Sequence, residues 1–458
     1  MHETESRPDH NDPNDHPTLE GSYRGPKLRE WQLSAWREWK RAGYHGIVEA
    51  ITGTGKSLVG VVAIHQTVVV EGGKALVLVP SRALVDQWLH SVRTALPNVR
   101  IGTLTSGHAA TFRDSDIIIA TVQSAYKEPP LPTSLGVLIA DEVHRYGSAA
   151  FSKALHSRYE RRIGLTGTLE RQHDDGVGTY LMPFFGQVTT QYGYGQALRD
   201  QVVAPFHLAL VGVDFNAHER RQYDAASERC SDAMKELVDQ FGYASDWQSF
   251  FAQVSDRVGD KSQVWDEEGQ LCSAYMSGFA ERRRVTAEAT RKETVVGELA
   301  GGLAKLSGSL VFTETKESAR RLAWIVNRDT PAFPLTSDSS SVEREEKIMA
   351  FARGRLKVLC APRILDEGID VPEAEFALIV AASQTPRQMI QRMGRVIRLK
   401  QDGRPARIMV LYVRDTGEDP DRNGHFGFLN EVRGHAASEA TFSADSPSAL
   451  LAWLGHCA

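Results

Sequence analysis

From about residue 45 onward, short apolar runs alternate with amphipathic stretches. The runs "GIVEAI" (46–51), "ALVLVP" (75–80), "DIIIATV" (116–122), "GVLIAD" (136–141) and "RRIGLT" (161–166) are rich in β-branched residues and apolar almost throughout. A strand covered on one face would alternate apolar with polar positions, so unbroken apolarity predicts parallel strands covered on both faces. Between two of them, "SRALVDQWLHSVRTAL" (81–96) carries its apolar residues at helical spacing, which makes the repeating unit βαβ. A second set, "GSLVFTE", "LKVLCA", "EFALIVAA" and "ARIMVLYV", lies within 308–413. The pattern predicts an α/β chain of two tandem parallel-sheet lobes.

Helix punctuation refines the second lobe. Ser340 with Glu343 forms a capping box before "REEKIMAFARGR", and Thr385, Pro386 and Gln388 supply an N-cap, an N1 proline and its N3 partner. That second signature puts Arg392, Arg395 and Arg398 on one helical stretch at a spacing of three, where like charges repel by roughly 0.2–0.5 kcal/mol per pair. Residues 214–296 are charged and helical in pattern. Trp247, Phe250, Phe251 and Val254 recur there at helical spacing, which predicts a helical core, with stacking on nucleic-acid bases as the alternative. The run "ERRRVTAEATRK" (281–292) reads as a solvated face or as a phosphate-tracking helix. The expected domains are a tail at 1–24, a first lobe at 25–213, a helical insertion or linker at 214–296, a second lobe at 297–440 and a C-terminal tail at 441–458.

Composition narrows the function classes. The 458 residues carry a net charge of −5, so any surface for nucleic acid must be local. Cys230, Cys272, Cys360 and Cys457 are dispersed without a CxxC pair, against both a zinc site and a disulfide framework, and a cytoplasmic protein is expected. The opening "MHETESRPDHNDPNDHPTLEGS" lacks the apolar core of a signal peptide, and no run approaches the length that would span a bilayer.

Two strings carry chemistry. In "AITGTGKS" (50–57), between a strand and a helix, Gly53 and Gly55 let backbone N–H groups approach phosphates, with Thr52 and Thr54 in the same loop. Lys56 supplies a cation to the β- and γ-oxygens, and the Ser57 hydroxyl a ligand for Mg²⁺. In "VLIADEVH" (137–144), a strand ends in two carboxylates: Asp141 to hold Mg²⁺ and Glu142 to orient and deprotonate water. Together they predict hydrolysis of a nucleoside triphosphate.

Over roughly 28–415 the order of motifs resembles that of superfamily 2 helicases and translocases. "LREWQ" (28–32) looks like the adenine-recognising segment, with Gln32 its glutamine. "PSRALVDQW" (80–88) and "ATVQSA" (120–125) resemble strand-contacting motifs through Arg82 and Thr121. "DEVH" (141–144) is similar to the DEAH-type motif, adding His144, and "LTGTLER" (165–171) to the motif coupling hydrolysis to movement, through Thr166 and Thr168. Further on, "LVFTET" (310–315) offers Thr313, "ILDEGIDVPEA" (364–374) offers Gly368 and Asp370, and "QRMGRVIR" (391–398) offers Gln391 and Arg392 as nucleotide contacts with Arg395 and Arg398 as the arginine-finger pair. The branch resembled is that of XPB-like and RadD-like repair helicases and restriction-enzyme motor subunits.

The resemblance implies two RecA-like lobes with a helical insertion between them, ATP and Mg²⁺ in their cleft, and a DNA strand held along its backbone. Expected roles lie in DNA repair, restriction or phage defence, with any partner nuclease on another chain. An RNA helicase and an ATPase clamp that does not unwind are the alternatives. Two positions depart from the family pattern. Gly167 replaces an alanine, which would loosen the coupling motif, and Pro362 stands near a threonine position that touches phosphate.

Overall fold

The computed structural model describes residues 22–169, 175–259, 265–362, 374–381, 396, 398, 400, 402–422 and 433–456. They divide into two compact units, the first ending at Val202 and the second beginning at Val203.

The first unit is built on eight strands: β1 (His45–Ala50), β2 (Lys74–Val79), β3 (Ile101–Thr105), β4 (His108–Ala109), β5 (Ile117–Thr121), β6 (Gly136–Asp141), β7 (Arg161–Thr166) and β8 (Val188–Tyr192). Their order is β4-β3-β5-β2-β6-β7-β1-β8. Every pairing is parallel except the β3–β4 hairpin. All five apolar runs of this region are strands, and β5 and β6 are buried at every position. Leu76, Leu78, Ile118 and Leu138 form the core on one side with Tyr146, Tyr159 and Phe185. The placement of β6, β7 and β1 side by side matters most for function. It brings the carboxyl ends of three strands together, where ligands of open parallel sheets bind.

The second unit contains β9 (Phe206–Val213), β10 (Ser309–Phe312), β11 (Ala332–Pro334), β12 (Val358–Ala361), β13 (Phe376–Ile379), β14 (Ala406–Val413) and β15 (Ser438–Ser443), in the order β11-β12-β10-β13-β14-β9-β15. All of these pairs are parallel. Two expected boundaries move. Strand β9 pairs along its whole length with β14, Phe206 opposite Ala406, so the first lobe ends at 202 rather than 213. The apolar run 206–213 falls at the end of the expected first lobe, but which sheet receives it depends on partners far along the chain. The expected C-terminal tail is likewise part of the second unit: β15 pairs with β9, and the helix Pro447–His456 buries Leu450 and Leu454 in its core. At the other end, Arg24 donates its N–H to Ala95 at 2.8 Å and Ser22 bonds His65 at 3.1 Å. Residues 22–24 therefore belong to the first unit rather than to a free tail.

The segment expected to be a helical insertion is helical: Ala217–Phe241, Trp247–Gly259, Glu267–Ala287 and Thr290–Leu303. Because β9 precedes it, the segment interrupts the second unit instead of separating two lobes. The first three helices share a small core of Cys230, Leu237, Phe250, Val254, Cys272 and Tyr275. The fourth helix packs Val295, Val296 and Leu299 into the main sheet's core. The aromatic stripe is thus mainly core, with Trp247 left 41% exposed and stacked on Phe251. The basic run is largely paired: Arg283 with Glu314 at 2.7 Å, Arg284 with Glu281 and Glu288, and the fully buried Lys292 with Glu418 at 2.7 Å. Among the described residues no helix is long and apolar enough to cross a membrane.

Candidate nucleotide site

The loop after β1 is held from below and from the side. Thr54 turns its hydroxyl inward and donates to the Ile51 carbonyl at 2.7 Å. Its side chain therefore shapes the loop instead of facing a ligand. Gly53 and Gly55 sit at φ +90° and +84°, a region that a side chain makes costly. Gly55 has a second constraint, since a Cβ there would stand 3.0 Å from Gln32 Nε2. Ser57 opens the helix Ser57–Ile64, whose N-terminal N–H groups and dipole favour an anion.

Gln32, expected at the adenine, is buried and committed to this loop. Its Nε2 donates to the Gly55 carbonyl at 2.9 Å, and its Oε1 accepts from the Arg29 N–H at 2.8 Å. Arg29, which the motif reading passed over, donates from Nη1 to the Thr54 carbonyl at 2.8 Å. The available signal was its position three residues before Gln32, across the first helical turn.

Two strands away, β6 ends in the paired carboxylates. Asp141 accepts the Trp88 indole N–H on Oδ2 at 2.8 Å and the Glu142 N–H on Oδ1 at 3.0 Å. Burial pushes its carboxyl pKa up, and the nearby Lys56 ammonium opposes that push. Glu142 has left-handed backbone, φ 52° and ψ 51°, a conformation costing a non-glycine residue roughly 1–2 kcal/mol. It aims the side chain at the P-loop, where Lys56 Nζ lies 3.2 Å from Glu142 Oε1.

His144 lies between the paired carboxylates and β7. The Thr166 hydroxyl donates to the Thr168 carbonyl at 2.6 Å, and His144 Nδ1 lies 2.9 Å from that hydroxyl oxygen. A hydroxyl has one hydrogen to give, so Nδ1 is the donor to Thr166. The same nitrogen is 3.6 Å from Glu142 Oε2. A file of polar side chains thus runs from Lys56 through Glu142 and His144 to Thr166 and Thr168, with the longest gap between Glu142 and His144.

The residues suit a triphosphate with a hard cation. Ser57 and Asp141 offer oxygen ligands of the kind Mg²⁺ takes. The buried hydroxyls of Thr52, in the loop, and Thr168, after β7, have no hydrogen-bond partner among the described residues. Gly167 does not loosen the motif as the sequence suggested. Both of its neighbours are tied by the Thr166 hydroxyl, and a Cβ at 167 would meet only Thr52 Oγ1 at 3.5 Å and the Ala50 carbonyl at 4.0 Å. Gly167→Ala should therefore stabilise the fold by about 0.4–1 kcal/mol through the unfolded chain. Denaturant titration checks this, and a loss of stability would show a backbone that only glycine can adopt.

The strand-contacting candidates divide. Arg82 is exposed at the start of the helix Arg82–Ala95. Thr121 and Thr313 are buried, with hydroxyls donating to Ser124 Oγ at 3.0 Å and the Thr315 carbonyl at 3.0 Å. Thr121 ends β5 and Thr313 follows β10, and each hydroxyl closes the turn there. Arg398 makes an isolated antiparallel bridge with Val203 in the second unit. Gly368, Asp370, Gln391, Arg392 and Arg395 lie outside the described residues, as does the Thr385 cap.

A parallel-sheet lobe with a P-loop, a strand-end Asp-Glu pair and a polar link to the next strand defines a nucleoside-triphosphate-hydrolysing motor fold. The model of the family described as "Type III restriction enzyme, res subunit" matches 25–171, and that of "Helicase conserved C-terminal domain" matches 293–400. A relative named "DNA 3'-5' translocase XPB2" from Sulfurisphaera tokodaii is 25% identical, covering 82% of this chain and 79% of its own. "DNA 3'-5' helicase XPB" from Mycobacterium tuberculosis is also 25% identical, over 86% of this chain, which spans 62% of that relative's length. The structure described as "S. cerevisiae Dbp5 bound to RNA and ADP BeF3" superposes with a TM-score of 0.58 over 94% of each chain at 15% identity, a likeness of fold. The chain is similar to the superfamily 2 helicases and translocases, and among them to relatives of the XPB-like branch. Its chemistry is that of an ATP hydrolase.

Proposed function

We propose that the chain is an ATP-driven helicase or translocase acting on DNA, with Lys56, Ser57, Asp141 and Glu142 as its hydrolytic centre. The observation that carries the reading is the polar path from Lys56 and Glu142 to Thr166 and Thr168. A hydrolase that only degraded nucleotide would need the first half of that path but not its continuation into the next strand. The names of the XPB-like relatives support DNA as substrate and make 3'-5' the first polarity to test.

In the resting site Lys56 lies against Glu142. An arriving γ-phosphate draws the lysine to its own oxygens, which releases Glu142 to accept a proton from the attacking water. The backbone N–H groups of the P-loop hold the phosphate chain. Ser57 and Asp141 would hold Mg²⁺, which when bound would supply positive charge against the phosphate chain. Any change in the Glu142 carboxylate is felt by His144, whose donor nitrogen faces both Glu142 and Thr166. Arg395 and Arg398 keep the role of transition-state arginines on the strength of their motif. A place in repair, restriction or phage defence, and a nuclease on another chain, complete the proposal.

ATP hydrolysis measured with single-stranded DNA, duplex DNA and RNA, paired with strand displacement, tests it. DNA should raise turnover; stimulation by RNA alone would overturn the choice of substrate. Stimulation by duplex without displacement would assign a translocase rather than a helicase.

A further inference from the structure

Trp88 is 2% exposed on the inner face of the helix Arg82–Ala95. Its ring lies against Gly60 of the P-loop helix, where an added Cβ would stand 2.8 Å from Trp88 Cη2. Its indole N–H reaches Asp141 Oδ2 at 2.8 Å. A buried tryptophan often finds whatever acceptor is near, so the bond needs a reason beyond satisfaction. This fold does not insist on satisfaction: the indole N–H groups of Trp31 and Trp36 are buried without a partner among the described residues. The carboxylate has the greater need, since a buried charge must be hydrogen-bonded to persist. With Glu142 N–H on one oxygen and the indole on the other, the carboxylate plane cannot rotate. Each oxygen keeps a lone pair for a cation.

We propose that Trp88 is the positioning residue of the metal-binding carboxylate, and that it ties Asp141 to the helix whose first residue, Arg82, meets the nucleic-acid strand. Trp88 follows Arg82 by six residues, about 9 Å along a helix. A shift of that helix on strand docking therefore moves the indole, and with it Asp141. The second half of the proposal rests on the DNA reading above; the first half does not.

The test uses the full chain with Trp88→Phe and with benzothienylalanine at 88, which keeps the bicyclic shape and replaces N–H by sulfur. The readout is the factor by which Mg²⁺ tightens a fluorescent ADP analogue, a binding measurement independent of turnover. Asp141→Asn sets its floor. Loss of a partner that orients a metal ligand typically costs about 10–100-fold in metal affinity, so the factor should fall at least tenfold in both Trp88 variants. If Trp88→Phe does not fold, the shape-matched replacement decides. An unchanged factor in the folded variants, or a loss in the phenylalanine variant alone, overturns the proposal. A second readout is the stimulation of hydrolysis by single-stranded DNA, which should fall in both variants; retention of full stimulation overturns the tie to Arg82. A wild-type chain that DNA does not stimulate sinks the DNA reading, while the Mg²⁺ comparison still judges Trp88.

Discussion

Glu142→Gln is expected to lower single-turnover ATP hydrolysis by on the order of 10²–10⁴-fold while nucleotide affinity holds or improves. The substitution keeps the side chain's shape and removes only its basicity and charge. The left-handed backbone at 142 is a local cost retained because the turn aims this carboxylate. In the resting site Glu142 also holds Lys56 at 3.2 Å. Breaking that pair removes one competitor for the lysine, so a phosphate draws it away at less cost. Rapid-quench hydrolysis and a fluorescent-nucleotide titration on the same preparation separate the two effects. Near-normal hydrolysis would remove Glu142 from the role of base.

Lys56→Ala should act on the opposite side, weakening ATP binding by about 10–100-fold, the range of one hydrogen bond to a charged group. It also leaves Glu142 without this cation and removes the charge that opposes the upward push of burial on Asp141. Binding and turnover should therefore fall together, unlike the split expected at Glu142. Calorimetric titration with ATP checks the first and steady-state hydrolysis the second. Unchanged affinity would mean that the loop is not a phosphate cradle.

Local chemistry made much of this site readable in the sequence. "AITGTGKS" and "VLIADEVH" each contain their own geometry, because a strand end and the turn after it fix where a side chain points. The five strand runs of the first sheet were readable for a related reason: burial on both faces leaves an unbroken apolar signature. What the sequence hid were relations across the chain. Nothing in "LREWQ" says that Gln32 spends its amide on the P-loop, or that Arg29 reinforces it. Nothing in "ALVDQW" says that the tryptophan lands on Asp141, 53 residues later. Nor do the motifs around Thr121 and Thr313 name the acceptors, Ser124 and the Thr315 carbonyl, that the turns provide. The second lobe's boundary failed on pairing: an apolar strand at 206–213 looks alike whichever sheet takes it.

That strand sets a schedule for synthesis. The eight strands of the first sheet are complete in sequence by Tyr192, so that sheet can form as it leaves the ribosome, but Phe206 must wait for Ala406, its partner in β14. At ordinary elongation rates of about 5–20 residues per second, 200 residues take roughly 10–40 s. Through that interval "FHLALVGV" is an unpaired apolar strand, the kind of segment that adheres to others of its kind. The helix Thr290–Leu303 emerges about halfway through and shares a core with Ala209, Val211 and Val213. Its arrival shields one face of the strand well before either neighbour in the sheet exists. The last of the interrupting helices is thus the strand's first cover during synthesis of the chain.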